Sequence, residues 1–331
     1  MSHDETVFPV THSILSPRAL RELAESEYDV GSVVRCQLLK RGMNDTYLLE
    51  TAASRYVLRV YRTSWRSQPE ILIELELLLY LHDSGIDVST PLRRRAGDLL
   101  HGVIAPEGPR EVALFTYAQG GTPPMDDSHV RLFGGALAQL HTAMDSFPTS
   151  GPRFALDLDH LVRRPLQAIA AAFQHRPADI AFLQELGKRI ELRMAELAQD
   201  GLTSGICHGD PWLGNVHMDR SERLTWFDFD YCGFGWRAYD LAVFRMSTRP
   251  ALDPDLWTAF LDGYSQKRTL GRTDVDAVPV LLLARDIWHL GLWMENGNDW
   301  GIGWMDERYL DGRMRFMRER AAALPNPRPL P

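Results

Sequence analysis

Six residues, Gln119-Gly120-Gly121-Thr122-Pro123-Pro124, divide a strand-rich third of the chain from a helix-rich remainder. Proline cannot donate to a ladder and glycine resists ordering, so such a stretch ends regular structure and reads as a boundary between two lobes, 1–118 and 119–331. Before it, Ser16 and Pro17 open a helix that runs to about Glu27. Strand-like runs follow at 32–40, 45–51 and 55–61. In the third, Tyr56, Leu58 and Val60 share one face while Val57, Arg59 and Tyr61 share the other. A helix opened by Pro69 carries Ile71, Leu72, Leu75, Leu78 and Leu79 at helical spacing and stops at Gly85. Two more strands fit 99–104 and 111–117, which completes a small α+β lobe of five strands with one inserted helix. Past the break, helical patterns cover about 127–144, 158–173, 178–199, 238–246, 254–266 and 275–295, and only a strand-rich interlude at 205–230 interrupts them. The proline-rich 325–331 reads as a frayed tail.

Charge and cysteine usage narrow the function class. A formal net charge of −8 repels nucleic acid and anionic membrane, so neither is expected as a partner, and Arg93-Arg94-Arg95 reads as a solvated turn. Cys36, Cys207 and Cys232 have no zinc spacing and no disulfide framework, which fits a reducing, cytoplasmic setting. The first ten residues lack a basic and apolar leader, and the longest apolar run, near 75–81, is too short to span a bilayer. A soluble protein is expected.

The chemistry concentrates in the interlude. It reads Ile206-Cys207-His208-Gly209-Asp210-Pro211-Trp212-Leu213-Gly214-Asn215-Val216, then Leu224-Thr225-Trp226-Phe227-Asp228-Phe229-Asp230. Phosphoryl transfer to an alcohol needs a carboxylate at the acceptor hydroxyl, oxygen ligands for Mg²⁺ on the triphosphate, and a cation on the phosphates. Asp210 follows a short strand, Asn215 lies five residues on across a loop, and Asp228 ends a strand eighteen residues beyond Asp210. This is the H-x-D-x-x-x-x-N pattern of a kinase catalytic loop with its downstream metal aspartate. Turn-capping by the same residues is the plain alternative, but three turn residues in kinase order are not expected by accident.

With Gly in place of Arg after the histidine, the segment resembles the aminoglycoside phosphotransferase and choline kinase family. The Ala136-Leu137-Ala138-Gln139-Leu140-His141 helix and Tyr239-Asp240-Leu241-Ala242 add to the resemblance, which spans about 38–304 and lies near the homoserine-kinase-like and bacterial stress-kinase branches. It implies a bilobal protein-kinase-like α+β fold, ATP as donor, Asp210 as catalytic base, and Asn215 and Asp228 as Mg²⁺ ligands. It further implies that His208 supports the loop and that Asp240 braces it through backbone or histidine hydrogen bonds. The family's phosphate-binding cation falls on Arg59, where protein kinases carry lysine, and a planar guanidinium is not equivalent to an ammonium. Its helix partner is Glu74, with Glu76 as fallback, since residues two apart cannot both face one strand. Asn44 sits in the 41–46 loop, where a phosphate-covering loop belongs, although one glycine suits an ordinary hairpin equally well. Phe115 and Tyr117 fall at the hinge that presents backbone groups to adenine.

Eleven residues separate Asp228 from Asp240 and no A-P-E follows, which favours a small-molecule acceptor over a peptide, although some family members resembling this chain phosphorylate proteins. Trp288, Trp293, Trp300 and Trp304 stand among Asp286, Glu295, Asp299, Asp306 and Glu307. That set suits either an amine held by cation–π and ionic contacts or plain helix-core packing. Asp230 reads as a second metal ligand or a loop brace. The expected activity is ATP- and Mg²⁺-dependent phosphorylation of an aminoglycoside, homoserine, choline-like alcohol or similar metabolite. A stress-type Ser/Thr protein kinase is the alternative, and Arg59 alone favours an inactive nucleotide-binding protein.

Overall fold

In a computed structural model the residues described are 8–63, 65–148, 151, 153–247 and 253–324. The tail at 325–331 lies outside them. The chain forms two compact units, the first running to Gln119 and taking back Gly151 and Thr225–Phe227, the second holding the other described residues.

In the first unit, helix α1 (Pro17–Glu27) precedes a meander of β1 (Val33–Arg41), β2 (Asp45–Thr51) and β3 (Arg55–Val60). Helix α2 (Gln68–Asp83) is inserted before the hairpin of β4 (His101–Ala105) and β5 (Gly108–Thr116). The sheet order is β1-β2-β3-β5-β4, antiparallel throughout, as tight connections allow. Tyr47, Leu49, Leu58, Val60, Val112 and Leu114 share a core with Leu20, Ala24 and Tyr28. Each such aliphatic side chain contributes about 1.5–3 kcal/mol on burial. Because strand side chains alternate, burying Leu58 and Val60 in this core turns Arg59 to the opposite face. Helix α2 begins where the Ser67 amide donates to the Glu70 carboxylate at 2.9 Å, with Pro69 in its first turn. Its buried stripe is Ile71, Leu75, Leu77, Leu78 and Leu81, and Glu74 is buried among them. Trp226 joins this unit by donating to the Asp87 carbonyl at 2.9 Å and accepting from the Ser89 amide at 2.8 Å.

The second unit opens at Gly120, whose φ of +96° places a hypothetical Cβ only 1.9 Å from the Met218 carbonyl oxygen. Glycine there permits a close backbone approach as well as ending the sheet. Helix α3 (Asp127–Met144) is capped by Asp126, which accepts from the His129 amide at 3.1 Å. Then come β6 (Ala155–Leu156), a π-turn at Asp159–Arg163, α4 (Arg164–Ala172), α5 (Pro177–Gln199), β7 (Ser204–Cys207), β8 (Val216–Met218), β9 (Leu224–Trp226) and β10 (Gly233–Trp236). The remainder is α6 (Arg237–Ser247), α7 (Pro254–Lys267), α8 (Arg272–Trp300) and α9 (Glu307–Ala322). Strand β10 pairs antiparallel with β7 and parallel with β6, and α8 packs on α4, α5 and α6.

Helix α8 is long and apolar enough to cross a membrane by length and composition, but 78% of its most apolar window is buried within the protein, as in a core helix. It also exceeds the expected 275–295 at both ends. The single helix expected at 158–173 is instead a π-turn followed by α4, with Pro165 near the junction. Helix α9 was not expected. Its stripe of Leu310, Met314, Met317 and Ala321 has helical spacing, and Asp306 caps it by accepting from Tyr309 N at 2.8 Å, but dense arginine and acidic residues mask the pattern.

Candidate active site

The loop from His208 to Asn215 is built from its backbone outward. Strand β7 ends at Cys207, whose thiol is pushed well up by burial and is inert core. Gly209 follows with φ +83°, and a Cβ there would lie 2.1 Å from the Tyr231 carbonyl oxygen. Only glycine fits, which accounts for its place after His208. Asp240, fully buried at the start of α6, accepts from His208 N at 2.7 Å and Gly209 N at 2.9 Å. It also accepts from His141 Nε2 at 2.9 Å. Burial works to raise the Asp240 carboxyl, but the hydrogen bonds it accepts from His141 and the Gly209 amide outweigh it and hold the group below the usual range. Burial lowers His141 to about 4 despite the pull of Asp240. His141 is therefore neutral at neutral pH. An ionised Asp240 only accepts, so Nε2 carries the proton and Nδ1 accepts from the Tyr264 hydroxyl at 2.7 Å.

His208 plays the supporting part expected of it. It is buried, its Nδ1 accepts from the Asp210 amide at 3.3 Å, and its ring packs on Phe229. Asn215 donates through Nδ2 to the Asp210 carbonyl at 2.8 Å and to its Oδ2 at 3.0 Å. The structure thus brings Asp210 and Asn215 together. Asp228 has left-handed φ and ψ of 65° and 57°, a strained backbone for a non-glycine residue.

Asp210 has a further partner that the motif does not reveal. Arg285, from the middle of α8, donates from Nη2 to Asp210 Oδ1 at 2.6 Å. Its Nη1 donates to the Gly209 carbonyl at 2.9 Å and the Tyr239 hydroxyl at 2.7 Å, and its Cζ lies 4.4 Å from the Trp288 ring centroid. Burial raises the Tyr239 hydroxyl to about 12, so it remains protonated. The available sequence signal was a charged Arg285-Asp286 pair inside an otherwise apolar helix, where a charge requires a partner.

In the first unit, Arg59 Nη1 meets Glu74 Oε1 at 3.0 Å, with Glu74 fully buried, whereas Glu76 is exposed. The choice between the two glutamates falls to Glu74. The Arg59 guanidinium also lies 5.5 Å from the Phe115 ring centroid. Asn44 is buried and accepts from the Arg62 amide at 3.1 Å, so its side chain braces the hairpin. Phe115 lies within the sheet opposite Val57, and the next residue, Thr116, has its amide bonded to Thr90 O and its carbonyl to Ser89 Oγ. Tyr117 carries the Arg55 guanidinium over its ring at 4.0 Å.

The tryptophan and carboxylate stretch is mostly structural. Trp288 is buried and donates to His160 Nε2 at 3.1 Å, and Arg285 already occupies one of its faces. Asp286 pairs with Arg313 and Arg320, Asp306 caps α9, and Glu307 pairs with Arg176. Trp304, half exposed and edge-on to Trp293, is the one of these four tryptophans that is exposed.

No group of three or more His, Cys, Asp or Glu suited to a metal occurs among the described residues. The donors present still suit a metal that arrives on a nucleotide. With Nδ2 of Asn215 engaged by Asp210, its Oδ1 is a hard oxygen of the kind Mg²⁺ takes alongside phosphates, and the Asp228 carboxylate is a donor of the same class.

Residues 36–275 match the model of the APH phosphotransferase enzyme family. The chain belongs to this family. Among relatives of this phosphotransferase, a Deinococcus radiodurans protein is 36% identical over 94% of this chain and 92% of its own length. A homoserine kinase of Caulobacter is 29% identical over 77% of this chain and 79% of its own. The solved structure of a microcompartment-associated aminopropanol kinase superposes with a TM-score of 0.73 at 24% identity, covering 92% of this chain and 95% of that one. The fold is the protein-kinase-like fold of the APH and choline kinase group.

Proposed function

We propose that this phosphotransferase moves the γ-phosphoryl group of ATP to a hydroxyl of a small amino alcohol or hydroxy amino acid. The observation that carries the reading is the pairing of Asp210 with Asn215, which fixes a partly exposed carboxylate beside an amide oxygen left to face a metal. Asp210 orients the acceptor hydroxyl and takes its proton as the oxygen bonds to the γ-phosphorus. The bond from that phosphorus to the β–γ bridging oxygen breaks, and ADP leaves. Mg²⁺, held by Asn215 Oδ1 and Asp228, would neutralise charge on the phosphates. Arg59, aimed by buried Glu74, is assigned to the nucleotide phosphates, and the first unit to nucleotide binding. A small acceptor is supported by the short 229–239 segment and by the homoserine kinase and aminopropanol kinase among the similar proteins.

The test is ADP release from Mg-ATP across 1-amino-2-propanol, homoserine, choline and aminoglycosides, with Asp210→Ala as the blank. An acceptor-dependent signal that vanishes in the variant is expected. Silence across the panel, with activity on a generic protein substrate, would replace the small acceptor by a protein.

A further inference from the structure

The loop that carries Asp210 is held by two separable sets of contacts. Asp240 takes the amides of His208 and Gly209, His208 Nδ1 takes the amide of Asp210, and Asn215 takes the carbonyl of Asp210. Those bonds fix the backbone from 208 to 210 without help from α8. They leave two acceptors open, the Gly209 carbonyl and Asp210 Oδ1, since Oδ2 already accepts from Asn215 Nδ2. Arg285 closes both, with Nη1 on Gly209 O and Nη2 on Asp210 Oδ1.

Arg285 is itself immobilised. Its side chain is only 7% exposed, the Tyr239 hydroxyl accepts from Nη1, and the guanidinium is stacked on Trp288. A buried guanidinium is costly to desolvate, and a loop with its amides already satisfied does not need one for its fold. A carboxylate that must keep one orientation while a substrate approaches does need one, because a second fixed donor defines its plane. With Oδ1 on Arg285 and Oδ2 on Asn215, each oxygen retains acceptor capacity, so a hydroxyl can be received without displacing either donor.

We infer that Arg285 is a positioning residue for phosphoryl transfer, holding the Asp210 carboxylate in register for the acceptor hydroxyl. The inference rests on the reading of Asp210 as the base. It also reassigns part of α8: the Trp288 face turned toward Arg285 serves an internal cation and is not a seat for a substrate ammonium. Among the described residues, the arrangement lies wholly within the second unit.

A positioning role separates turnover from nucleotide binding. A misplacement of about 1 Å at a reacting group costs on the order of 100-fold in rate. Arg285→Met, which removes the fork at similar volume, is expected to lower kcat about 100-fold while the Kd for Mg-ATP moves less than about threefold. Arg285→Lys, which keeps the charge and one donor, should recover about tenfold of that loss. Tyr239→Phe, one step further out, should lower kcat several-fold with the Kd again unchanged. Acceptors are 1-amino-2-propanol and homoserine, with wild type and Asp210→Asn run first. If wild type is active and Asp210→Asn is not, the function reading stands and the Arg285 series tests positioning alone. Unchanged kcat in Arg285→Met, or equal loss of kcat and nucleotide binding, would overturn the inference. If Arg285→Met does not fold, Arg285→Lys and Tyr239→Phe decide: a reduced kcat with intact binding supports it, and wild-type kcat in both overturns it. If wild type turns over neither acceptor, the crystal structure of Arg285→Lys decides: a rotated Asp210 carboxylate supports positioning, and an unmoved one overturns it.

Discussion

Two buried arginine–carboxylate pairs, one in each unit, divide their labour in opposite ways. In the first unit Glu74 is completely buried and Arg59 keeps 11% of its side-chain surface, whereas in the second Arg285 keeps 7% and Asp210 keeps 23%. In each pair the partner rooted in a helix core is the deeper one and the partner on a strand or loop is the more accessible. The same ion pair therefore presents a cation in one unit and an anion in the other. With the cation proposed to meet nucleotide phosphates and the anion the acceptor hydroxyl, the two sites should fail differently when broken.

The largest effect is expected at the anion. Asp210→Asn keeps the shape and the Asn215 contact but removes the proton acceptor, so kcat should fall by about 10³-fold or more, roughly 4 kcal/mol in the barrier. ATP affinity, read by calorimetry, should stay close to wild type.

At the other pair the damage should fall first on stability. Glu74→Ala removes the buried carboxylate facing Arg59, and breaking a buried pair costs about 3–5 kcal/mol. Urea melts should show that loss, together with weaker ATP binding. Unchanged stability would mean that Arg59 finds another anion and that the pairs are less alike than their geometry indicates.

A third variant sharpens the contrast within the second unit. Asp228 sits at φ +65°, which costs a non-glycine residue about 1–2 kcal/mol. Asp228→Gly should raise stability by about 1 kcal/mol while removing the metal-dependent part of ATP binding. Loss of both would show that the side chain also holds the fold.

The smallest effect concerns pH. His141 is lowered to about 4 in the folded protein against an ordinary 6.5, so between those values the unfolded chain binds more protons. Its contribution to stability is complete above pH 6.5 and is lost as the pH falls toward 4, at no more than about 1.4 kcal/mol per pH unit. Thermal melts across that window should slope less in His141→Gln than in wild type.

Much of this was legible in the sequence, because it rests on local pattern. Alternation in 55–61 placed Arg59 away from the Leu58 and Val60 face, and Asp210 and Asn215 lie five residues apart on one loop, so their pairing is a short-range matter. Glu74, read ahead of Glu76 from the sequence, is the one that the buried stripe of α2 carries toward Arg59. Arg285 was hidden because it reaches Asp210 across 75 positions, and nothing in a helix heptad says which distant loop its charged member will meet. The partner of Asn44 was hidden for a similar reason: the Arg62 amide that it accepts from lies 18 residues away. Helix α9 stayed hidden because its stripe is narrow and its exposed faces are densely charged.

The most direct test of the opposed roles is to measure kcat and the Kd for Mg-ATP side by side in Arg59→Met and Asp210→Asn, with an acceptor that wild type phosphorylates. Arg59→Met should weaken ATP binding about tenfold or more with a smaller change in kcat, while Asp210→Asn should abolish kcat and leave Kd in place. Asp210→Asn with near-wild-type turnover, or loss of ATP binding in Asp210→Asn alone, would contradict it.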